Sequence, residues 1–286
     1  MNSNPVEQPA SGDSSVGTHA KIDTSVPHPA RRYDYWLGGK DNFAADRASG
    51  DAIAKAFPPI RTAVLENRRF LQRVVTFLAR EHRIRQFLDI GTGIPTSPNT
   101  HEIAQDIAPE SRIVYVDNDP LVMSHARALL TGAEAGATAY VEADLRDPEK
   151  ILTHPELRDT LNLRQPVGLL LIAVLHFLTD ADDPYRHVAQ LIKPLPPGSF
   201  VAVSHVTHDP LPASTRQQLT ALTAPGAGNG PFRARTKPEV AQFLPGLELV
   251  DPGVVSIVDW RPDQEPKPEA SPADTSVYGV VARKSP

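Results

Sequence analysis

The chain has 286 residues, 40% hydrophobic and 22% charged, enough for one sizeable core with a small accessory layer. Its net charge of −5 argues against nucleic acid as the main partner, because binding a phosphate backbone wants a basic surface. With no cysteine, disulfides, thiolate nucleophiles and Cys-ligated metal sites are excluded, and no other motif calls for a metal.

In chain order, residues 1 to about 20 are polar and rich in Ser, Gly and Pro, and read as a disordered tail. They lack the basic start and apolar stretch of a secretory signal. The longest apolar run, Val167 to Leu175, is too short to span a bilayer. A cytoplasmic protein without membrane association is therefore expected. Residues 21–84 read as a helical cap. AADRASGDAIAKAF and RTAVLENRRFLQRVVTFLAREH place apolar residues at helical spacing, including Val64, Leu65, Phe70, Leu71, Val74, Val75 and Leu78, and Pro58 and Pro59 separate the two helices.

From Arg85 onward, residues 85–286 read as an α/β core forming one structural domain with the cap. QFLDI is a strand and NTHEIAQDI a helix; RIVYVDND is a strand and PLVMSHARALL a helix with Pro120 in its first turn. TAYVEADL is a strand, PEKIL a short helix, PVGLLLIAVLHFL a strand buried on both faces, PYRHVAQLIK a helix and SFVAVSHV a strand. Alternating strands and helices imply crossover units and a parallel sheet. The tail differs: LELVDPGVVSIVDW and SVYGVVARK are strands joined by a polar, Pro-rich loop, so they should pair antiparallel and reverse the last strand.

Three strand ends carry the chemistry. FLDIGTGIPT, Phe87 to Thr96, turns on Gly91 and Gly93, whose lack of a Cβ lets a ligand approach the backbone. A dinucleotide turn would end in a glycine and present free N–H groups to a pyrophosphate. Here Thr96 adds bulk, and Pro95 and Pro98 each remove a donor, which favours a cofactor without a diphosphate. Asp117, at the end of VYVDND, stands where an acid accepts from ribose hydroxyls, and Asp119 suits the cap of the next helix. Asp144, at the end of the following strand, suits an exocyclic adenine amine.

The series FLDIGTGIPT, VYVDNDP, EADLRDP and AVLHFL resembles a class I S-adenosylmethionine-dependent methyltransferase. Together with ARRYDYWLGGKDNFAADR and ENRRF, it is similar to the actinobacterial S-adenosyl methyltransferase family once catalogued as a domain of unknown function. The resemblance implies a Rossmann-like sheet of seven strands, mostly parallel with the last antiparallel, helices on both faces and an N-terminal helical lid. It implies S-adenosylmethionine as cofactor, held by Asp89, Gly91, Gly93, Asp117 with its neighbour Asn118, and Asp144 with its neighbour Leu145. It does not supply the acceptor.

Further candidates each carry a plainer alternative. YDYWLGGKDNF reads as a lid supplying Tyr33 or Tyr35 for stacking and Lys40 or Asn42 for polar contacts, or as an aromatic staple. Arg68 could pair with the methionyl carboxylate, with Arg69 and Arg73 as similar candidates, or sit on a solvated helix face. His176, after the apolar strand, could act as a base, orient the acceptor, or bond a neighbouring loop. His205 and His208 read as substrate-pocket lining, and Trp260 as a pocket wall or a core plug. The expectation is methyl transfer to a small-molecule acceptor. A non-catalytic protein binding the same cofactor and a nicotinamide-dependent oxidoreductase are the competing classes.

Overall fold

The computed structural model describes residues 22–129, 132–262 and 269–285. The expected tail therefore lies outside the described residues, as does part of the Pro-rich loop. The strands are β1 (Gln86–Ile90), β2 (Arg112–Asp117), β3 (Ala137–Glu142), β4 (Gly168–Ile172), β5 (Phe200–Val206), β6 (Glu248–Leu249), β7 (Val255–Ser256) and β8 (Val277–Arg283). The helices are α1 (Pro29–Trp36), α2 (Ala44–Ala56), α3 (Ile60–Arg80), α4 (Thr100–Ile107), α5 (Pro120–Leu129), α6 (Pro148–Thr153), α7 (Pro155–Thr160), α8 (Pro184–Ile192), α9 (Ala213–Leu222), α10 (Lys237–Ala241) and α11 (Pro272–Thr275).

The sheet runs β3-β2-β1-β4-β5-β8-β6, with β7 also paired to β8. β1 to β5 are mutually parallel, and β8 is antiparallel to β5, as the tail pattern implies. Among the described residues, eight strands replace seven because LELVDPGVVSIVDW splits in two. Leu249 faces Ala282 and Val255 faces Gly279, so six steps along one strand match three along its partner, and the surplus residues loop out.

Side-chain alternation divides the core into two layers. Leu88, Ile90, Val114, Leu169 and Val203 face α6, α7 and α8. Phe87, Ile113, Leu170 and Phe200 face the opposite way, against Phe70, Val74, Phe77 and Leu78 of α3. Runs such as GLLLI are apolar at every position because both faces are covered. All five parallel strands end on one side of the sheet, so their carboxyl ends share a single crevice.

The expected strand PVGLLLIAVLHFL stops at Ile172. Ala173 adopts φ +55 and bends the chain away, and Leu175–Phe177 form a single 3-10 turn. The bend costs about 1–2 kcal/mol for a residue with a Cβ, and it brings His176 back toward the strand ends. Among the described residues, no helix is long and apolar enough to cross a membrane.

Candidate active site

A cavity of about 490 Å³ lies over the carboxyl ends of β1, β2, β4 and β5, roofed by α1, α2 and residues 229–232 and flanked by α3. Its floor begins at the glycine turn. Gly91 sits at φ +73, and a Cβ there would fall 2.3 Å from Val174 Cγ2, so only glycine lets β1 and the bend after β4 meet. Gly93, at φ +68, donates its N–H to Asp117 Oδ2 at 2.9 Å. The rest of the turn is fixed from two sides. Thr96 N–H donates to Asn99 Oδ1 at 3.0 Å, while Arg68 Nη2 on α3 donates to the Thr96 and Pro98 carbonyls.

This arrangement is a poor phosphate cradle. The Thr96 amide is already spent, and α4 starts only at Thr100, whose hydroxyl donates to Asp89 Oδ2 at 2.6 Å. A buried carboxylate at the head of that helix would repel a pyrophosphate. Burial pushes Asp89 up to about 6, against the Thr100 hydrogen bond and the nearby Arg68, which pull it down.

Asp117 is also buried and raised by that burial, against the amides of Asp119 and Gly93 that its two oxygens accept. Each oxygen keeps a lone pair for a ligand hydroxyl. Asp119 caps α5 through the Leu121 N–H at 2.9 Å, and its other oxygen meets His28 Nδ1 at 3.0 Å and Arg31 Nε at 3.4 Å. The residue expected as a cap thus also anchors α1.

Asn118, Asp144 and Leu145 line the same end of the cavity. Asp144 differs from expectation in one respect. It accepts from the Arg146 backbone and guanidinium and from Asn118 Nδ2, which holds its carboxyl well below the usual range and occupies its lone pairs. Arg146, unforeseen from the sequence, therefore stands between Asp144 and a ligand amine.

In the cap, Tyr33 lines the cavity and Tyr35 does not. The Tyr33 hydroxyl donates to the Val64 carbonyl and accepts from Asn67 Nδ2, both at 3.0 Å. Asn67 Oδ1 accepts from Ser204 Oγ at 2.6 Å, which in turn accepts from the strained Ala173 N–H at 2.9 Å. Neither Asn67 nor Ser204 stood out in the sequence, since the bond that joins them links residues 137 apart. Lys40 is exposed and Asn42 binds Asp34 at 2.8 Å; neither lines the cavity. The Gly38-Gly39 pair is a turn folded around Asp34, whose carboxylate lies where a Gly39 Cβ would stand.

His176 and His208 line the cavity; His205 and Trp260 do not. His205 is a strut. Its Nδ1 donates to the Val206 carbonyl at 2.8 Å and its Nε2 accepts from Arg235 Nη1 at 3.1 Å, partners that fix the tautomer because a carbonyl only accepts and a guanidinium only donates. Burial drives it down to about 3. Trp260 is fully buried edge-on to Phe70 at 5.4 Å and Phe77 at 5.7 Å, the core-plug alternative. Among the described residues, no group of three or more His, Asp or Glu is placed to hold a metal.

His176 is 5% exposed and its Nδ1 has no hydrogen-bond partner. Burial, then His205, Arg235 and Arg32, hold it well below the ordinary imidazole value. It is a neutral hydrogen-bonding group and a weak proton sink.

A glycine turn and successive acids at the carboxyl ends of a parallel sheet with one reversed strand define a nucleoside-cofactor protein of the class I methyltransferase type. The profile of the S-adenosyl methyltransferase family matches residues 15–285, and the chain belongs to that family. It is an S-adenosylmethionine-dependent methyltransferase. A DUF574-family protein from Streptomyces avermitilis is 49% identical, with a TM-score of 0.87 over 92% of this chain and 100% of that one. A candidate methyltransferase from Thermobifida fusca is 40% identical, with a TM-score of 0.82 over 92% and 97%. An O-methyltransferase family protein from Burkholderia thailandensis, 13% identical over 88% of this chain and 64% of that one with a TM-score of 0.52, shares the fold. A comparison with curated proteins gives no match.

Proposed function

We propose that the protein methylates a small molecule held beside the cofactor in this one cavity, and that it works in the cytoplasm. The observation that carries the reading is enclosure. A space of about 490 Å³ roofed by α1, α2 and residues 229–232 suits a compact acceptor, and the net charge of −5 disfavours a nucleic-acid substrate.

S-adenosylmethionine, when bound, supplies a methyl group made labile by a sulfonium. The chain's residues hold and orient. Asp117 accepts from the ribose hydroxyls, and the backbone at Gly91 and Gly93 admits the cofactor closely. Asn118 and Leu145 flank the adenine with Asp144, where Arg146 must yield to an incoming amine. Asp89 faces the methionyl ammonium, and Arg68, already fixed to the glycine turn, faces the methionyl carboxylate. His176 accepts a hydrogen bond from the acceptor and sets its angle of approach; its depressed basicity suits orientation better than proton removal. Tyr33 and the rest of α1 exclude water.

The test is calorimetric titration with S-adenosylhomocysteine. Asp117→Asn keeps one of the two oxygens that satisfy the Gly93 and Asp119 amides, so it spares the fold better than alanine. Losing a charged acceptor is expected to weaken binding at least about tenfold. An unchanged affinity would remove Asp117 from the ribose.

A further inference from the structure

Three guanidinium groups line the cavity, and Arg146 is paired with Asp144; the other two have different surroundings. Arg68 is tied to the glycine turn. Arg32, on α1, is bound to the opposite wall. Its Nη1 donates to the Asn229 carbonyl at 2.8 Å and to Ser49 Oγ at 3.3 Å. It is 4% exposed, and its charge is among those that hold His176 neutral, so the guanidinium and the imidazole share one chamber.

Arg32 is under-partnered for a buried cation. Its Nε has no hydrogen-bond partner, and its Nη2 makes no hydrogen bond among the described residues. Nor does any carboxylate there lie within 4.0 Å of it. Its neighbour Arg31 shows the contrast, with Asp119 at 3.4 Å and Asp46 at 3.9 Å. Burial lowers Arg32 to about 10 against the longer-range attraction of Asp46, so it keeps its charge at neutral pH. The unspent Nε–Nη2 edge is the fork that matches the two oxygens of a carboxylate.

The wall beside it is aromatic. The His176 ring lies 4.3 Å from Phe177 and 5.4 Å from Phe232, and His208 stacks on Phe232 at 6.5 Å. All four rings line the cavity, and His176 Nδ1 is itself unpartnered. A planar ring offers the matching surface.

We infer that the methyl acceptor is a small aromatic carboxylic acid: its carboxylate takes the free edge of Arg32, its ring packs on the Phe177–His176–Phe232 wall, and a ring hydroxyl or amine bonds His176. The inference rests on the small-molecule reading above.

The probes are 4-hydroxybenzoate and 4-hydroxybenzamide, which share a shape and differ in charge. Each is titrated calorimetrically into the protein saturated with S-adenosylhomocysteine. The acid is expected to bind at least tenfold more tightly than the amide. Arg32→Gln is expected to abolish that preference while leaving S-adenosylhomocysteine affinity within twofold. Equal binding of the pair, or binding of neither, overturns the inference, and both results are read on the wild-type protein whatever the variant does. A tenfold loss of S-adenosylhomocysteine affinity in Arg32→Gln also overturns it, by assigning the guanidinium to the cofactor. The small-molecule reading fails separately: methyl label from the donor, incubated with cell extract, would end in macromolecules.

Discussion

Asp89 shows how one buried carboxyl couples the site to pH. Its pKa of about 6 follows from burial, and it titrates in a range where the protein can be handled. Above about 6 it is charged, and in the cofactor pose proposed above it would attract the ammonium; below, it is neutral and that attraction is lost. S-adenosylhomocysteine affinity should therefore fall as pH drops below about 6, approaching about tenfold per unit if only the charged form binds. Titrations from pH 5 to 8 on wild type and Asp89→Asn test this. The variant should bind weakly with a flat profile, and an equally steep variant would place the titration elsewhere. Asp117 and the glycines were legible in the sequence because turn chemistry and strand ends leave strong local marks. Arg32, Asn67 and Ser204 were not, because their roles come from partners 137 to 197 residues away.

Among the elements, the turn after β4 depends on distant support. Arg235 is fully buried and donates to the Leu175 carbonyl at 3.2 Å, the Leu178 carbonyl at 3.1 Å, His205 Nε2 and Asp180 Oδ1 at 2.9 Å. It fixes the loop that presents His176. Arg235→Met would leave two buried acceptors, the Leu178 carbonyl and His205 Nε2, without a donor. Urea unfolding should show a loss of at least about 2 kcal/mol, with methyl transfer falling further than S-adenosylhomocysteine binding. A neutral effect on both would mean that the loop holds itself. The sequence could not mark where β4 ends, because LLLIAV is apolar throughout and the stop is set by the backbone of Ala173. It also hid α7, α9 and α10. In α9 only Leu219 is buried, so the helical period hardly registers. The five parallel strands were legible because their covered faces write continuous apolar runs between turn residues.

At the scale of the whole molecule, five histidines, His82, His101, His176, His205 and His208, are lowered by burial as the leading cause. In the unfolded chain each returns toward 6.5 and binds a proton that the folded state refuses. Below about pH 6.5 the unfolded state therefore takes up more protons, and their contribution to stability is lost as pH falls, for His205 down to about 3. Asp89 and Asp117, raised by burial, oppose this by favouring the folded state on acidification. In the histidine range the five outnumber the two, and nearer the ordinary carboxyl values of 3.8 and 4.5 the lowered carboxyls, Asp119, Asp144 and Glu102 among them, add to the loss, so melting temperature should decline from pH 6.5 downward. His176→Phe, which removes one of the five, should make that decline shallower by differential scanning calorimetry. A steeper one would contradict the count.

The cavity is assembled from two kinds of sequence. Apart from Arg68 on α3, the residues assigned to the cofactor run from Asp89 to Leu145, from β1 to just past the end of β3. The walls assigned to the acceptor come from α1 and from His176 to Phe232, on either side of it. Donor and acceptor recognition are thus written in largely separate text, and most substitutions in one can re-cut it without touching the other. Relatives that keep the stretch from Asp89 to Leu145 are free to share a methyl donor while diverging in what they methylate. Exchanging residues 205–232 between them is the natural way to move an acceptor preference from one to another.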